Sequence, residues 1–354
     1  MLKKILNLIF CIFLLISCAQ KPLYLQGDVA LAVNVQTQVS IQTVWNAAVQ
    51  SKMIYQWNDN VYGPIEYTPP THADIVIFNN NDIVQRKTIK TGVRELIDVE
   101  LDKTYDFLIF NKTDAIEDYY LGGRYLISAS NKSTKGSIDG EWYEPTKQPG
   151  EIFSTYQQNI FLSSDVTQYE ETYENGKLIY VYNIDADLKP VSYIYVIQFM
   201  IVKDDSTEIR ATGISDYSIS GISTVKNLFT ENPVYSGKKE ITSNDVKPGQ
   251  MVADSLVFAS KFTILDLGTD DESSSWTDAA NFTYYCTLTV NTETDSFTGT
   301  VNITDQMKKQ SKGGVITVRI KNSALKDKTQ PSGGGGFNAE VENWQQEEEI
   351  EIII

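Results

Sequence analysis

The stretch 191-VSYIYVIQFMIV-202 decides the fold class. It runs for twelve residues without a charge and is rich in Val, Ile and Tyr. Such side chains pack well on a pleated surface and lose rotamer freedom in a helix, so the run predicts a buried strand. Just upstream lies 173-YENGKLIYVYN-183. Asn175 and Gly176 both tolerate a positive φ, which matches the twist of two strands joined by a tight turn, so a hairpin is expected there.

The same grammar recurs along the chain. Tyr284, Cys286, Leu288 and Val290 alternate with Tyr285, Thr287 and Thr289. After the turn 291-NTETD-295 come Phe297, Val301 and Ile303, interrupted by Gly299. This is the pattern of a half-buried hairpin. Further strands fit 29-VALAVNV-35, 38-QVSIQTVW-45, 74-DIVIFNN-80, 104-TYDFLIFN-111 and 313-GGVITVRIK-321. Turn clusters such as 67-YTPPT-71, 147-KQPG-150 and 247-KPGQ-250 separate them. Long helical periods are absent, and short helical turns are expected only near 44-VWNAAVQSK-52 and 217-YSISGISTVKN-227. A boundary falls near 183-NIDADLKP-190, where Lys189-Pro190 starts a fresh extended run. The expectation is an all-β chain of two tandem antiparallel β-sandwich domains, 29–186 and 187–354.

The first residues read as an address. Lys3 and Lys4 precede an apolar run from Ile5 to Ile16, shorter than the roughly 20 residues a membrane span needs. It has the make-up of a signal peptide. Its end, Leu15-Ile16-Ser17-Cys18, resembles the bacterial lipobox. That resemblance implies cleavage after residue 17, lipid on Cys18, attachment to the outer membrane, and a short tether over 18–28. Several acyl chains on one residue hold firmly where a single one holds marginally. No acidic residue follows Cys18 in Ala19-Gln20-Lys21-Pro22, so attachment is better supported than exposure on the outer face.

Composition narrows the function. Loss of Lys3 and Lys4 would deepen the net charge from −16 to −18, which speaks against nucleic acid or anionic lipid surfaces as partners. Cys286 would be the one remaining thiol, so no disulfide within the chain is expected. With a single histidine, His72, most histidine-based metal and catalytic sites are excluded. No G-x-S-x-G, H-E-x-x-H, Walker A or G-x-G-x-x-G pattern occurs, and no enzyme activity, metal or cofactor is expected. Asp266, Asp270, Asp271 and Glu272 crowd one loop, but their spacing is not that of an EF-hand, and a solvated loop fits them better. Cys286 shares a face with Tyr284, Leu288 and Val290 and reads as a core thiol.

Two features suggest contacts with other molecules. The tail 349-EIEIII-354 alternates charge and bulk, so Ile350, Ile352 and Ile354 could fill side-chain pockets in strand exchange with another chain. Protection of a sticky edge favours the other reading, in which the tail is the last strand of its own domain. Trp142 and Trp276 lie among polar residues and are candidates for stacking on glycan rings.

Four features together resemble lipoproteins of Bacteroidales related to fimbrium-anchoring, fimbrillin-associated subunits, a group in which many members have no known function. They are the lipobox, the early block 39-VSIQTVWNAAVQSKMIYQW-57 with 62-YGPIEYTPP-70, the middle 188-LKPVSYIYVIQF-199 with 210-RATGISDYSISGIS-223, and the tail 333-GGGGFNAEVENWQQEEEIEIII-354. The resemblance implies two transthyretin-like sandwich domains and a role in seating a pilus or adhesin at the outer membrane. It implies a fimbrillin or another envelope protein as partner. The alternative function is a surface lipoprotein that binds glycan through exposed aromatics.

Overall fold

The computed structural model describes residues 51–111, 148–204, 206–222, 228–229, 240–265, 267 and 283–325. For the main chain alone it describes 29–36, 116–121, 124–129, 225–226, 233–234 and 239. The strands of the first half are β1 (Val29–Gln36), β2 (His72–Asn79), β3 (Asp82–Lys90), β4 (Arg94–Asp98), β5 (Lys103–Asn111), β6 (Ile116–Leu121), β7 (Arg124–Ala129), β8 (Phe153–Leu162), β9 (Glu170–Glu174), β10 (Lys177–Asp187) and β11 (Lys189–Pro190). Those of the second half are β12 (Tyr193–Val202), β13 (Ala211–Ile222), β14 (Val225–Lys226), β15 (Pro233–Val234), β16 (Lys239–Ser243), β17 (Lys247–Val252), β18 (Ser255–Ile264), β19 (Tyr285–Thr292), β20 (Ser296–Asn302) and β21 (Gly314–Lys321). Among the described residues two short α-helices, α1 (Asp59–Tyr62) and α2 (Thr304–Lys309), and the 3₁₀ turns Val166–Gln168 and Asn322–Ala324 lie between strands.

The first half forms the sheets β4-β1-β10-β9 and β11-β8-β5-β2-β3, and the second forms β17-β18-β12-β21 and β16-β13-β19-β20. Each pair of sheets shares a core. Ile97, Ile184 and Ala186 of the first sheet meet Ile75, Ile77, Phe107 and Ile109 of the second. Tyr195, Ile197, Phe199 and Phe262 meet Tyr217, Ile219, Cys286 and Leu288 across the other pair. Burial of these side chains is the main favourable term, at roughly 25 cal/mol per Å² of apolar surface.

Local chemistry behaves as the sequence implies at the hairpins. Asn175 and Gly176 both adopt positive φ, 52° and 78°, and join β9 to β10. β19 and β20 pair across the 292–295 turn, with Cys286 buried against Leu288 and Val290 in the same core. Two expectations need correction. The pairing is not wholly antiparallel: β1 lies parallel to β10, and β12 lies parallel to β21. In each half these partners are distant in sequence, so a tight turn cannot impose an antiparallel course. The second correction is at 217–222, which is strand β13 and not a helical turn. Its Tyr217, Ile219 and Ile222 are buried in the core, and packing overrides a Ser- and Gly-rich local sequence. The expected strand at 38–45 lies outside the described residues.

β12 is buried on both faces. Tyr195, Ile197, Phe199 and Ile201 point into the second core, while Ile194 and Val196 join the core of the first half. The second face is covered by residues 51–68, a strap that leaves the first half and lies across the sheet β17-β18-β12-β21. The cover is returned. Leu228 and Phe229, between β14 and β15, pack on Val76, Phe78, Leu108 and Phe110 on the outer face of the first half's larger sheet. The two halves therefore clasp each other.

Candidate functional site

None of the side chains singled out for function falls where its surroundings can be described. Cys18, Trp142, Trp276, Ile350, Ile352 and Ile354 lie outside the described residues, as do Asp266, Asp270, Asp271 and Glu272. His72 opens β2 on the surface, with its Nδ1 3.1 Å from Thr71 Oγ1. Burial pushes the Cys286 thiol up, so this sulfur is held protonated and unreactive. Among the described residues no three His, Cys, Asp or Glu side chains gather as a metal site would require. No helix among them is long and apolar enough to cross a membrane.

What the fold does build is a set of backbone clamps made from side-chain amides. An amide side chain carries one acceptor and two donors, so it can bond a main-chain N–H and C=O together as a neighbouring strand would. Gln198 is fully buried on the strap-facing side of β12. Its Oε1 accepts from Ile54 N–H at 2.6 Å and Tyr55 N–H at 2.8 Å, and its Nε2 donates to Lys52 C=O at 3.1 Å and Thr317 Oγ1 at 3.2 Å. Gln250 on β17 bonds both the N–H and the C=O of Gln56, each at 2.9 Å.

Lysines and aromatics complete the seat. Lys247 Nζ lies 5.7 Å from the Trp57 ring centre and 5.5 Å from that of Tyr62, and it pairs with Asp245 at 2.5 Å. Lys261 Nζ donates to Pro64 C=O and to Glu151 Oε1, both at 2.9 Å. The Tyr67 hydroxyl donates to Ser192 C=O at 2.8 Å and accepts from Ile194 N–H at 3.3 Å. Burial pushes the phenols of Tyr55 and Tyr67 up.

The same device closes a sheet edge. β21 is the outer strand of its sheet, and α2 lies beside it. Gln306 accepts from Thr317 N–H at 2.8 Å and donates to its C=O at 3.0 Å. One turn on, Gln310 accepts from Val315 N–H at 3.0 Å and donates to its C=O at 2.8 Å. The i, i+4 spacing puts both amides on one helix face, where they stand in for a missing strand. Gly313 and Gly314 permit this approach: a Cβ at 313 would strike the Ile194 carbonyl oxygen, and one at 314 the Gln310 amide.

Other edges are blunted differently, by means that natural sheets use against unwanted pairing. β17 carries Pro248 and an irregular register, and Tyr55 donates its hydroxyl to the Pro248 carbonyl at 3.0 Å. β3 and β4 are laced together by Lys87, which donates to Leu96 C=O and pairs with Glu95, each at 2.9 Å. β9 carries Glu170, Glu171 and Glu174 in five residues. β20 has none of these defences: Ser296-Phe-Thr-Gly-Thr-Val-Asn302 has no charge and no proline.

The comparisons with known proteins come from structure alone. No family model matches the chain, and no curated protein matches it. Several solved structures are similar to it at low identity. One is described as a candidate adhesin from Bacteroides ovatus, at 11% identity and TM-score 0.47, covering 85% of this chain and 94% of that one. A candidate adhesin from Bacteroides thetaiotaomicron is similar at 8% identity and TM-score 0.48, covering 83% and 92%. The fimbrial anchor protein Mfa2 from Porphyromonas gingivalis is similar at 10% identity and TM-score 0.42, covering 82% and 90%.

Proposed function

We propose that the chain is a lipid-anchored protein of the outer membrane that serves as a fimbrial anchor or accessory subunit and holds a pilin or adhesin by β-strand addition. In this reading residues 1–17 are removed, Cys18 carries the lipid, 18–28 form a tether, and 29–186 and 187–354 are two transthyretin-like domains. Ile350, Ile352 and Ile354 either donate a strand or close the last sheet.

One observation carries the reading: the lipobox leads directly into a strand at the middle of a sheet. β1 begins soon after Cys18 and lies between β10 and β4, paired along eight residues with one and five with the other. To leave the sheet β1 must lose two rows of hydrogen bonds, whereas an edge strand loses one. The strap and the β14–β15 arm then tie the first half to the second. Such a body suits a protein that transmits force between a membrane and a partner.

The test has two parts. Cys18→Ala should abolish labelling with a radioactive fatty acid and release the protein from the membrane fraction; labelling that persists would remove the anchor. Crosslinking in intact envelopes should capture a fimbrillin-type subunit with the wild-type chain, and capture of no envelope protein would remove the partner.

A further inference from the structure

Among the described residues no strand pairs with the outer side of β20, and that edge is nearly its own complement. Read from either end, 296-SFTGTVN-302 presents a short polar residue, a large apolar one, Thr, then Gly299 at the centre. The hydrogen-bond phase of the hairpin fixes which groups face outward. Ile303 N–H bonds Tyr284 C=O at 3.0 Å, and Thr292 N–H bonds Asp295 C=O at 2.8 Å. Bonded and non-bonded pairs alternate in an antiparallel ladder. Phe297, Gly299 and Val301 therefore exchange bonds with β19, and Ser296, Thr298, Thr300 and Asn302 turn their main-chain groups to the open side.

The side chains agree with that phase. Thr300 and Thr287 sit opposite each other with hydroxyls 2.9 Å apart, and Thr298 and Thr289 at 3.1 Å, on the outer face. These are the close, non-bonded pairs of the ladder. On the other face Phe297 and Val301 pack against the core on either side of the buried Gly299.

We propose that β20 pairs antiparallel with β20 of a second copy of this chain about a two-fold axis at Gly299. Thr298 of one copy then lies opposite Thr300 of the other, and Ser296 opposite Asn302. All four are residues whose main-chain groups already face outward, so the register and the hydrogen-bond phase agree. Phe297 meets Val301 on the inner face, and the two glycines meet on the axis without crowding. The threonine rows of the outer face continue across the junction, and Thr–Thr pairs are favourable opposite neighbours. No like charges are brought together, although the chain carries −16 overall. Two-fold pairing of one surface with itself is also the commonest way in which soluble chains associate. The proposal does not rest on the fimbrial reading.

Sedimentation velocity of the full chain, purified in mild detergent, tests it. A seven-residue edge spans about 24 Å and buries little area, so dimers should appear only toward ~50 μM. Thr298→Lys/Thr300→Lys should sediment as a monomer, as should Thr298→Glu/Thr300→Glu, and an equimolar mixture of the two should recover the dimer. Thr300→Pro removes an outward amide while sparing the bonds to β19, and should be monomeric with nearly the parental melting curve. A parent that stays monomeric throughout would overturn the proposal, as would a dimer that survives in both charged variants and in Thr300→Pro.

Discussion

The two clasps do the same job with different chemistry. The strap at 51–68 is held to the second half by Gln198, Gln250, Lys247 and Lys261, whose polar groups reach its main chain or its aromatic rings. The arm between β14 and β15 is held to the first half by Leu228 and Phe229, with Phe229 edge-on to Phe78 at 5.2 Å and to Tyr156 at 5.0 Å. The difference follows from what each segment presents. A chain laid flat across a sheet face covers its own N–H and C=O groups from water, and the sheet has no free ladder positions on its face to pair them. Side-chain amides must do so, because an unpaired buried polar group costs about 1–3 kcal/mol. The contact at Leu228 and Phe229 is made by apolar side chains and needs no such partners.

If that contrast is right, the largest single loss should come from the strap. Gln198→Ala removes the partners of Ile54, Tyr55 and Lys52 at once, and should lower the stability read by urea unfolding by about 3 kcal/mol. Leu228→Ala should cost somewhat less, about 2 kcal/mol, because it creates a cavity without stranding a polar group. The two losses should add in the double variant, since the sites lie on different sheet faces; strong coupling would show one clasp instead of two.

Alkali should strain both clasps. Tyr55 and Tyr67 in the strap, and Tyr217 within the second core, have phenols raised by burial. A raised folded-state value means that the unfolded chain ionises first. Stability is then whole below about pH 10 and falls as pH rises beyond it, by up to ~1.4 kcal/mol per pH unit for each such group. The urea midpoint should drop above pH 10, and Tyr67→Phe should flatten that drop even though it loses the bond to Ser192. The Leu228 and Phe229 contact touches a titrating group as well: the Tyr156 phenol, edge-on to Phe229, is raised by burial, so Phe229→Ala, which uncovers that ring, should also flatten the drop. The smallest effect belongs to Lys247→Met. It keeps the stem against Trp57 and Tyr62 but removes the cation, and should cost about 1 kcal/mol. A salt titration that left its effect constant would point to packing by the stem instead.

Some of this architecture could be read directly from residues. Asn175-Gly176 specified a hairpin because few other pairs accept two positive φ values. The alternation from Tyr284 to Val290 placed Cys286 inside, because a strand has a period of two. The run at 191–202 announced a buried strand, yet not what would bury its second face. Nothing in that run singled out Gln198, and it is the residue that holds the strap. The glutamines of α2 gave no signal either. Their partners lie only five and eleven residues on, but no local pattern marks β21 as the outer strand whose main chain they would cover. For the functional residues, Cys18 rests on a local signature at the leader, while Trp142, Trp276 and the isoleucine tail rest on composition and lie outside the described residues.

The sequence by itself determined the class of element, the tight turns and the buried rows, because those depend on φ preference and on side-chain period over a few neighbours. Only the tertiary structure decided that β1 runs parallel to β10 and β21 to β12, that the halves cover each other's outer faces, and that one sheet edge is closed by glutamines while β20 has no outer partner among the described residues. Those outcomes join residues more than a hundred positions apart in several cases, as with Gln198 and the strap. No local preference reaches that far; only the need to bury apolar faces and to pair every covered amide does.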